Sequence, residues 1–240
     1  LNIIHYIIVP LVIIFIFFPR NMIIKKGDEA KDPIIIAMKG HPGTGKTTIA
    51  RSLATSLKIP LVDKDDVRDS TFSLQHVDAS VLNDLSYEVI YRIASTQLQL
   101  GLGVVLDSPL SRRAHLDRVV QLASSAGARL VVVECRPSDE RVWRERLEMR
   151  GTGEGASWHK PATWDDLEAL LERYGGCTDY DMGDVPKIVV DTSARVGVDE
   201  IVSRVVRFVE SFGRGSSESV GSFGSKPVRR GGSYDVGSFG

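Results

Sequence analysis

The sequence predicts an α/β fold, a doubly wound parallel sheet of five strands, and three observations support that prediction. Five short runs rich in Val and Ile alternate with longer stretches of helical periodicity. The short runs are apolar without polar alternation, as expected for parallel strands covered by helices on both faces. A chain of 240 residues, 42% of them hydrophobic, can bury one full core. In such a sheet, ligands bind at the carboxyl ends of the strands.

The elements can be placed in order along the chain. The strands are expected at residues 33–39, 60–63, 103–107, 128–135 and 187–191. A first helix follows the first strand, because Ile49, Leu53 and Leu57 share one helical face. Further helices are expected at residues 80–100, 111–125, 139–150, 164–174 and 198–212. In the longest, four apolar residues recur every four positions: Val81, Leu85, Val89 and Ile93.

The turn between the first strand and the first helix reads GHPGTGKTT and has the P-loop spacing GxxxxGK[ST]. Glycine permits backbone angles that let successive N–H groups turn inward around an anion. Lys46 supplies a positive charge, and the Thr47 hydroxyl is suited to Mg²⁺. The predicted cofactors are therefore ATP and Mg²⁺. The residues predicted to bind the nucleotide are Gly40, His41, Pro42, Gly43, Thr44, Gly45, Lys46, Thr47 and Thr48.

Carboxylates follow the second and third strands, where the crevice is expected. The second strand leads into VDKDDVRD, which contains Asp63, Asp65, Asp66 and Arg68. One of these carboxylates is expected to cap the short helix that follows, and another to accept a proton from an acceptor hydroxyl. The third strand closes on Asp107, for which a role in holding the water shell of the metal is predicted.

The helix SDERVWRERLEMRG carries an unusual charge pattern. At 100° per residue, Arg146 and Arg150 fall in the same sector as Val142, Trp143 and Leu147. Arginines on an apolar face need an anionic partner, and a triphosphate supplies one. The alternative interpretation is a snorkelling pair at the end of a helix.

The stretch GTGEGASWHKPATW predicts a mobile lid around residues 150–163, with Gly151, Gly153 and Gly155 as hinge candidates. Trp158 and His159 could stack on or orient a substrate, or simply pack the lid. Thr163, followed by Asp166, predicts a cap at the next helix start; their spacing is that of a capping box.

Both ends of the chain differ from its middle. Residues 1–21 begin with an uncharged apolar stretch that is followed by basic residues, so a membrane anchor facing the cytosol is one interpretation of residues 1–18. Translated upstream sequence is another, because the chain begins with Leu and its first methionine is Met22. Residues 213–240 are rich in Gly and Ser with a repeated VGSFG, which predicts a disordered tail. The domain itself is expected at residues 33–212.

Composition limits the setting and the partners. A net charge of −1 provides no field to attract a polyanion, so nucleic acid stays possible as a substrate without support from charge. Only Cys135 and Cys177 are present, which predicts reduced thiols in an intracellular, cytoplasmic protein unless the anchor is genuine.

The succession GHPGTGKTT, DKDDVR, LDSPLSRR and RERLEMRG resembles the P-loop kinases of the polynucleotide-kinase, zeta-toxin and gluconate-kinase type. This branch is similar to the nucleoside monophosphate kinases and is AAA-domain-like within the P-loop nucleoside triphosphate hydrolases. The resemblance covers about residues 33–212. It implies a general base at Asp65, a substrate-binding Arg68 and catalytic lid arginines at Arg146 and Arg150. Lys46 of the P-loop is expected to be catalytic on the P-loop pattern itself. The segment SWHKPATW departs from the family pattern, which leaves the acceptor open.

Three other functions would need different sequence features. A GTPase would need an NKxD-like base-reading motif, which VVVECRPSDE and VVVDTSARVG lack. An AAA+ motor would need an acidic pair where this chain has Asp107 and Ser108. A nucleotide-binding or hydrolysing scaffold, which needs the loop but not Asp65, stays open. The expected function is transfer of the γ-phosphoryl of Mg-ATP to a hydroxyl acceptor, a small molecule or a nucleic-acid end.

Overall fold

The computed structural model of the protein describes residues 32–152 and 157–212, with a five-stranded sheet at their centre. The strands are β1 (Ile34–Lys39), β2 (Leu61–Asp63), β3 (Val104–Asp107), β4 (Arg129–Arg136) and β5 (Lys187–Asp191). All pairs are parallel, and the order across the sheet is β2-β3-β1-β4-β5. The predicted fold class is therefore confirmed, with strand ends within one residue of those expected.

Seven α-helices are described. They are α1 (Lys46–Leu57), α2 (Lys64–Ser70), α3 (Ala79–Gln99), α4 (Arg113–Ala126), α5 (Glu140–Thr152), α6 (Trp164–Tyr174) and α7 (Val198–Ser211). A single 3₁₀ turn, Phe72–Leu74, follows α2. In the part of the chain that the structure describes, no helix has the length and apolarity needed to cross a membrane. The apolar residues 1–18, the hinge candidates Gly153 and Gly155, and the Gly/Ser-rich residues 213–240 lie outside that part.

Strand β1 is buried along its whole length because it lies at the centre of the sheet and both of its faces are covered. Ile34, Ile36 and Met38 belong to a core cluster shared with α1 and α7. Ile35 and Ala37 point the other way, into a cluster shared with α3 and α4. This two-residue alternation between two apolar layers explains why residues 34–38 are all apolar. The last residue of the strand, Lys39, is also buried and pairs with Glu134 of β4 at 2.9 Å.

In helix α3, the periodicity of apolar residues predicts the helix but does not determine which of its faces is buried. Its bounds match the prediction, but Val81, Leu85 and Ile93 are exposed. The buried row is the adjacent one, formed by Leu82, Ser86, Ile90, Ala94 and Leu98, and it also repeats every four residues. Both rows satisfy a helical period, and only packing against the sheet decides which one is covered.

The carboxyl ends of β1, β2 and β3 meet at one edge of the sheet. Asp63 of β2 lies directly beside Asp107 of β3 in the strand register. The backbone N–H of Gly40, immediately after β1, donates to the carbonyl of Pro109, which follows β3, at 3.2 Å. The P-loop and both predicted acidic positions therefore share the same end of the sheet.

Candidate active site

The P-loop has the backbone geometry that its glycines predict. Gly43 and Gly45 have φ angles of 78° and 82°, in the left-handed region that favours glycine. A Cβ on Gly40 would lie 2.6 Å from the carbonyl oxygen of Cys135, so that position has no room for a side chain. The loop then enters α1, whose first-turn N–H groups and dipole favour an anion.

Lys46 and Thr47 begin α1 and face the carboxyl ends of the strands. The Lys46 ammonium donates to the carbonyl of His41 at 3.0 Å, so its side chain folds back over the loop. Burial lowers the pKa of Lys46, and the negative charges of Asp107 and Asp65 act in the opposite direction. These two carboxylates therefore lie within electrostatic reach of the P-loop lysine.

Asp107 is buried and incompletely hydrogen-bonded. Burial raises its pKa, while Lys46 and a hydrogen bond with the Thr47 side chain lower it. Its second oxygen, Oδ2, is buried without a hydrogen-bond partner among the described residues. A buried carboxylate oxygen with no donor calls for a cation or an ordered water. Asp107 and Thr47 thus have the donor chemistry that Mg²⁺ prefers.

The three carboxylates after β2 have separate positions. Asp63 caps α2, because its Oδ1 accepts from the backbone N–H of Asp65 at 2.9 Å. Burial, followed by the charge of Asp107, raises the pKa of Asp63 to about 7. Asp66 is exposed on the outer side of the helix. Of these three carboxylates, Asp65 is the one that contacts residues 159 and 160 of the predicted lid.

Two lysines and a histidine lie close to the Asp65 carboxylate. Its Oδ2 lies 2.8 Å from Lys160 Nζ, and its Oδ1 lies 3.4 Å from His159 Nε2. Lys64 Nζ is 3.3 Å from the same Oδ1. Burial alone would raise the pKa of Asp65, but His159, Lys64 and Lys160 together hold it well below its usual value. The carboxylate is therefore ionised throughout the physiological pH range.

Arg68, predicted to bind substrate, is only 3% exposed. Its Nη1 donates to Thr71 Oγ1 at 2.9 Å, and its guanidinium lies 4.3 Å from the centre of the Trp158 ring. The Trp158 ring therefore covers one side of this buried guanidinium. The role predicted for Arg68 stays a prediction.

Helix α5 is fastened to the P-loop by an aromatic contact. The Trp143 indole N–H donates to the carbonyl of Pro42 at 2.8 Å, and its ring stacks on His41 with centroids 6.0 Å apart. Burial, then the charges of Lys39 and Lys46, lowers the pKa of His41 to about 4, so this ring is neutral at pH 7. Trp143 also meets Trp164 of α6 edge to face, at 5.1 Å between centroids.

Helix α5, which we call the lid helix because it leads into the predicted lid, carries Arg146 and Arg150, and these two arginines differ in exposure. Arg146 is exposed, yet its Nη1 lies 3.9 Å from where a Cβ on Gly45 would be, so the guanidinium stands beside the P-loop. Arg150 is half-buried and donates to the carbonyl of Pro161 at 3.2 Å. Burial lowers its pKa, and the charge of Asp65 opposes that shift. The helical wheel therefore located both side chains near the site, although it did not anticipate that Arg146 is exposed.

Sequence reasoning missed three contacts at the site. Lys160 belongs to no recognised motif. The only sequence signal at this position is the basic and aromatic composition of its segment. Thr192, after β5, donates from its hydroxyl to the carbonyl of Thr44 at 2.8 Å and so braces the P-loop. Trp143 was predicted to belong to an apolar stripe, but its indole N–H also donates to the Pro42 carbonyl of the P-loop. None of these pairings has a local signature, because their partners are far apart in the chain.

A family model described as an AAA domain matches residues 35–174, more than half of the chain. The chain belongs to this AAA domain family. The match begins in β1 and ends with α6, so it includes the P-loop, Asp65, Asp107 and the lid helix. The AAA domain of this chain is thus a P-loop nucleoside triphosphatase fold, as its sequence motifs predicted.

Several solved structures similar to this AAA domain are described as kinases. A "putative kinase" from Chloroflexus aurantiacus is 26% identical, with a TM-score of 0.59, and the match covers 75% of this chain and 98% of the other. A gluconokinase from Sinorhizobium meliloti is 19% identical, with a TM-score of 0.53 and coverage of 76% and 95%. The APS kinase CysC of Mycobacterium tuberculosis, in complex with AMPPNP and APS, is 16% identical, with a TM-score of 0.51 and coverage of 75% and 98%. The AAA domain therefore has the fold of the P-loop kinases.

Similarity to curated proteins is local. A cytidylate kinase from Pyrobaculum arsenaticum is 59% identical over 29 residues, and the match spans 12% of this chain and 16% of that kinase. The chain therefore matches about a sixth of the length of this curated relative. Short, high identity of this kind agrees with a kinase-like AAA domain and leaves its acceptor undetermined.

Proposed function

We propose that the protein transfers the γ-phosphoryl group of Mg-ATP to a hydroxyl group of an acceptor, either a small molecule or a nucleic-acid end. The observation that carries the proposal is the position of Asp65. It is a carboxylate that caps no helix, lies at the same sheet edge as the P-loop, and is within electrostatic reach of Lys46, Asp107 and Arg150. Membership of the AAA domain family and similarity to kinases support it.

The nucleotide side consists of the P-loop, residues 40–48. Its backbone N–H groups would hold the phosphates, and the Lys46 ammonium would leave the His41 carbonyl to pair with the β- and γ-phosphates. Among the residues beside the loop, Arg146 would contact the nucleotide, and the Arg150 guanidinium would offset charge that develops on the transferred group. We assign the domain to residues 33–212, with residues around 150–163 as the lid and residues 1–21 and 213–240 as attachments.

Thr47 and Asp107 would hold Mg²⁺, which when bound neutralises phosphate charge during transfer. The buried, unpartnered Oδ2 of Asp107 supports this assignment, as does the hydrogen bond between the two side chains. Use of ATP and two unpaired cysteines fit an intracellular setting.

The proposed step is a single displacement. The acceptor oxygen forms a bond to the γ-phosphorus while the bond from that phosphorus to the bridging oxygen of ADP breaks, and the electron pair of the broken bond stays on ADP. The hydroxyl proton passes to the Asp65 carboxylate and from there to solvent. Asp65 contributes mainly by position, because a carboxylate with so low a pKa is a weak base and binds a proton only as the acceptor oxygen loses it.

A nucleotide-binding or hydrolysing scaffold is the second candidate, and one observation favours it. Both oxygens of Asp65 are engaged by lid residues, and Trp158 covers Arg68. A protein without an acceptor could have the same arrangement, with these residues serving only to pack the lid.

The test is a screen of hydroxyl acceptors with ATP labelled at the γ position, followed by the Asp65→Asn variant on the best acceptor. We expect transfer to exceed hydrolysis, and Asp65→Asn to slow it by roughly 10²-fold or more with the affinity for ATP nearly unchanged. The neighbouring, exposed Asp66→Asn is the matched control and should retain full activity. If no acceptor exceeds water, the scaffold replaces the kinase; if Asp65→Asn is fully active, Asp65 is not the base.

A further inference from the structure

Residues 157–160 lie along α2 and contact it through four consecutive side chains; we call them the clamp segment. Ser157 Oγ donates to Asp69 Oδ1 at 2.5 Å. The Trp158 ring covers the Arg68 guanidinium. His159 Nδ1 lies 3.2 Å from Asp69 Oδ1, and Lys160 Nζ lies 2.8 Å from Asp65 Oδ2.

Helix geometry explains how one histidine can contact two carboxylates of α2. Asp65 and Asp69 are four residues apart in α2, so their carboxylates lie on one face, one turn apart. His159 bridges them, with Nδ1 toward Asp69 and Nε2 toward Asp65 at 3.4 Å. The Ser157 hydroxyl lies 2.7 Å from the same Nδ1, which fixes the plane of the imidazole. The ring therefore has a partner on each nitrogen and one defined orientation.

We propose that His159 and Lys160 are positioning residues for Asp65, an inference that rests on the proposed function of that carboxylate. Lys160 holds Oδ2 and His159 holds Oδ1, so the two side chains fix the rotation of the carboxylate and keep it ionised. The base is then complete only while the clamp segment is docked on α2. Proton acceptance by Asp65 is thereby linked to the position of the clamp segment.

Burial distinguishes this arrangement from an ordinary surface ion pair. The side chains of Lys160 and Asp65 are 24% and 25% exposed, and that of His159 is 11% exposed. The pair Arg92–Glu88 on α3 is 79% and 43% exposed, and exposed pairs of that kind contribute little. A cation that is three-quarters covered is screened less, so it strongly affects the titration of its carboxylate.

The first test needs no acceptor. Carbon-13 NMR of the full-length protein, labelled at aspartate and with the Asp65 signal assigned by its loss in Asp65→Asn, follows the titration of that carboxyl. In His159→Gln/Lys160→Ala the midpoint should rise by at least about one pH unit. The other charged groups whose fields reach Asp65 stay in place in this variant: Lys46, Lys64, Arg150, Asp63 and Asp107.

The matched control is His76→Gln/Lys187→Ala, which removes one histidine and one lysine that make no contact with Asp65. It should leave the midpoint unchanged, and Lys160→Arg should keep it as low as in the wild type. If the double clamp variant fails to fold, Lys160→Ala alone decides. An unchanged Asp65 midpoint in a folded clamp variant overturns the proposal, whether or not an acceptor is known.

The second test uses the best acceptor from the screen. Lys160→Ala should lower kcat about tenfold without changing KM for ATP, and should move the acid limb of the pH profile to higher pH, because Asp65 then titrates there. Lys160→Arg should recover most of the rate. If Asp65→Asn is inactive while Lys160→Ala is fully active, the clamp has no catalytic role and the proposed function stands. If both variants are fully active, the assignment of the base fails as well.

Discussion

The nucleotide side and the acceptor side of the cleft are built in different ways. The nucleotide side uses nine consecutive residues, 40–48, whose conformation depends on glycine geometry and on the start of α1. The acceptor side joins α2 to a segment that is 94 residues away, through the contact of Asp65 with His159. A site made from one contiguous stretch is already organised by local chemistry, whereas a site made from two distant segments depends on where the lid lies. The nucleotide side should therefore tolerate loss of the lid contacts, and the acceptor side should not.

On the nucleotide side, the largest effect should come from Lys46→Ala, which tests whether that side works independently. The substitution removes the charge that pairs with the β- and γ-phosphates, and the affinity for Mg-ATP should fall roughly 10- to 100-fold, the scale of a lost charge-assisted hydrogen bond. Circular dichroism should be unchanged, because the Lys46 side chain donates to the His41 carbonyl within the P-loop and not to a residue of the core. Calorimetry measures the binding. A wild-type protein that bound no Mg-ATP would remove the basis of the comparison.

Next in size are the two lid-helix arginines, which stand between the two sides. Arg150→Ala should lower kcat by about tenfold or more with little change in the affinity for ATP, because its charge acts on the reacting group. Arg146→Ala should lower affinity and rate together, since Arg146 lies beside Gly45. Steady-state kinetics with a separate binding measurement separates the two. Equal effects of both variants on affinity would place both arginines on the nucleotide side.

A smaller, pH-dependent effect is expected at Asp63. Its pKa in the folded protein is about 7, above the ordinary value of 3.8. As the pH rises, the unfolded chain therefore loses this proton before the folded protein does. Between about pH 4 and pH 7 the carboxyl thus increasingly destabilises the fold. Asp63→Asn keeps the cap of α2 without the charge. In EDTA, the variant should melt higher than the wild type by about 4 °C at pH 8, with a smaller gain at pH 5. An equal gain in melting temperature at pH 5 and pH 8 would contradict the raised pKa of Asp63.

The smallest effect should follow truncation to residues 22–212, because all five strands of the described sheet lie within residues 34–191. The melting temperature should stay within about 2 °C of that of the full chain, and the product should be monodisperse in size-exclusion chromatography. A large drop in melting temperature would mean that one attachment packs on the domain and could support either side of the cleft.

The sequence was informative wherever structure depends on neighbouring residues. Strand positions, the P-loop and the capping box of Thr163 and Asp166 all follow from local patterns, and the structure confirms each of them. It was less informative where two surfaces must meet. The buried row of α3 and the contact of Lys160 with Asp65 depend on packing between segments that are distant in the chain, which no single stretch encodes. The chemical roles of the site residues stay predictions.

The contact between Trp143 and the P-loop makes the protein its own spectroscopic sensor. An indole that donates to the Pro42 carbonyl and stacks on His41 experiences any change of the loop directly. Trp158, stacked on Arg68, stands on the opposite side of the cleft. The chain has only three tryptophans, so variants that keep one of these two, with Trp164 replaced by Phe, would each carry a single emitter. Emission from Trp143 would then follow arrival of the nucleotide, and emission from Trp158 would follow movement of the clamp segment, without any attached dye.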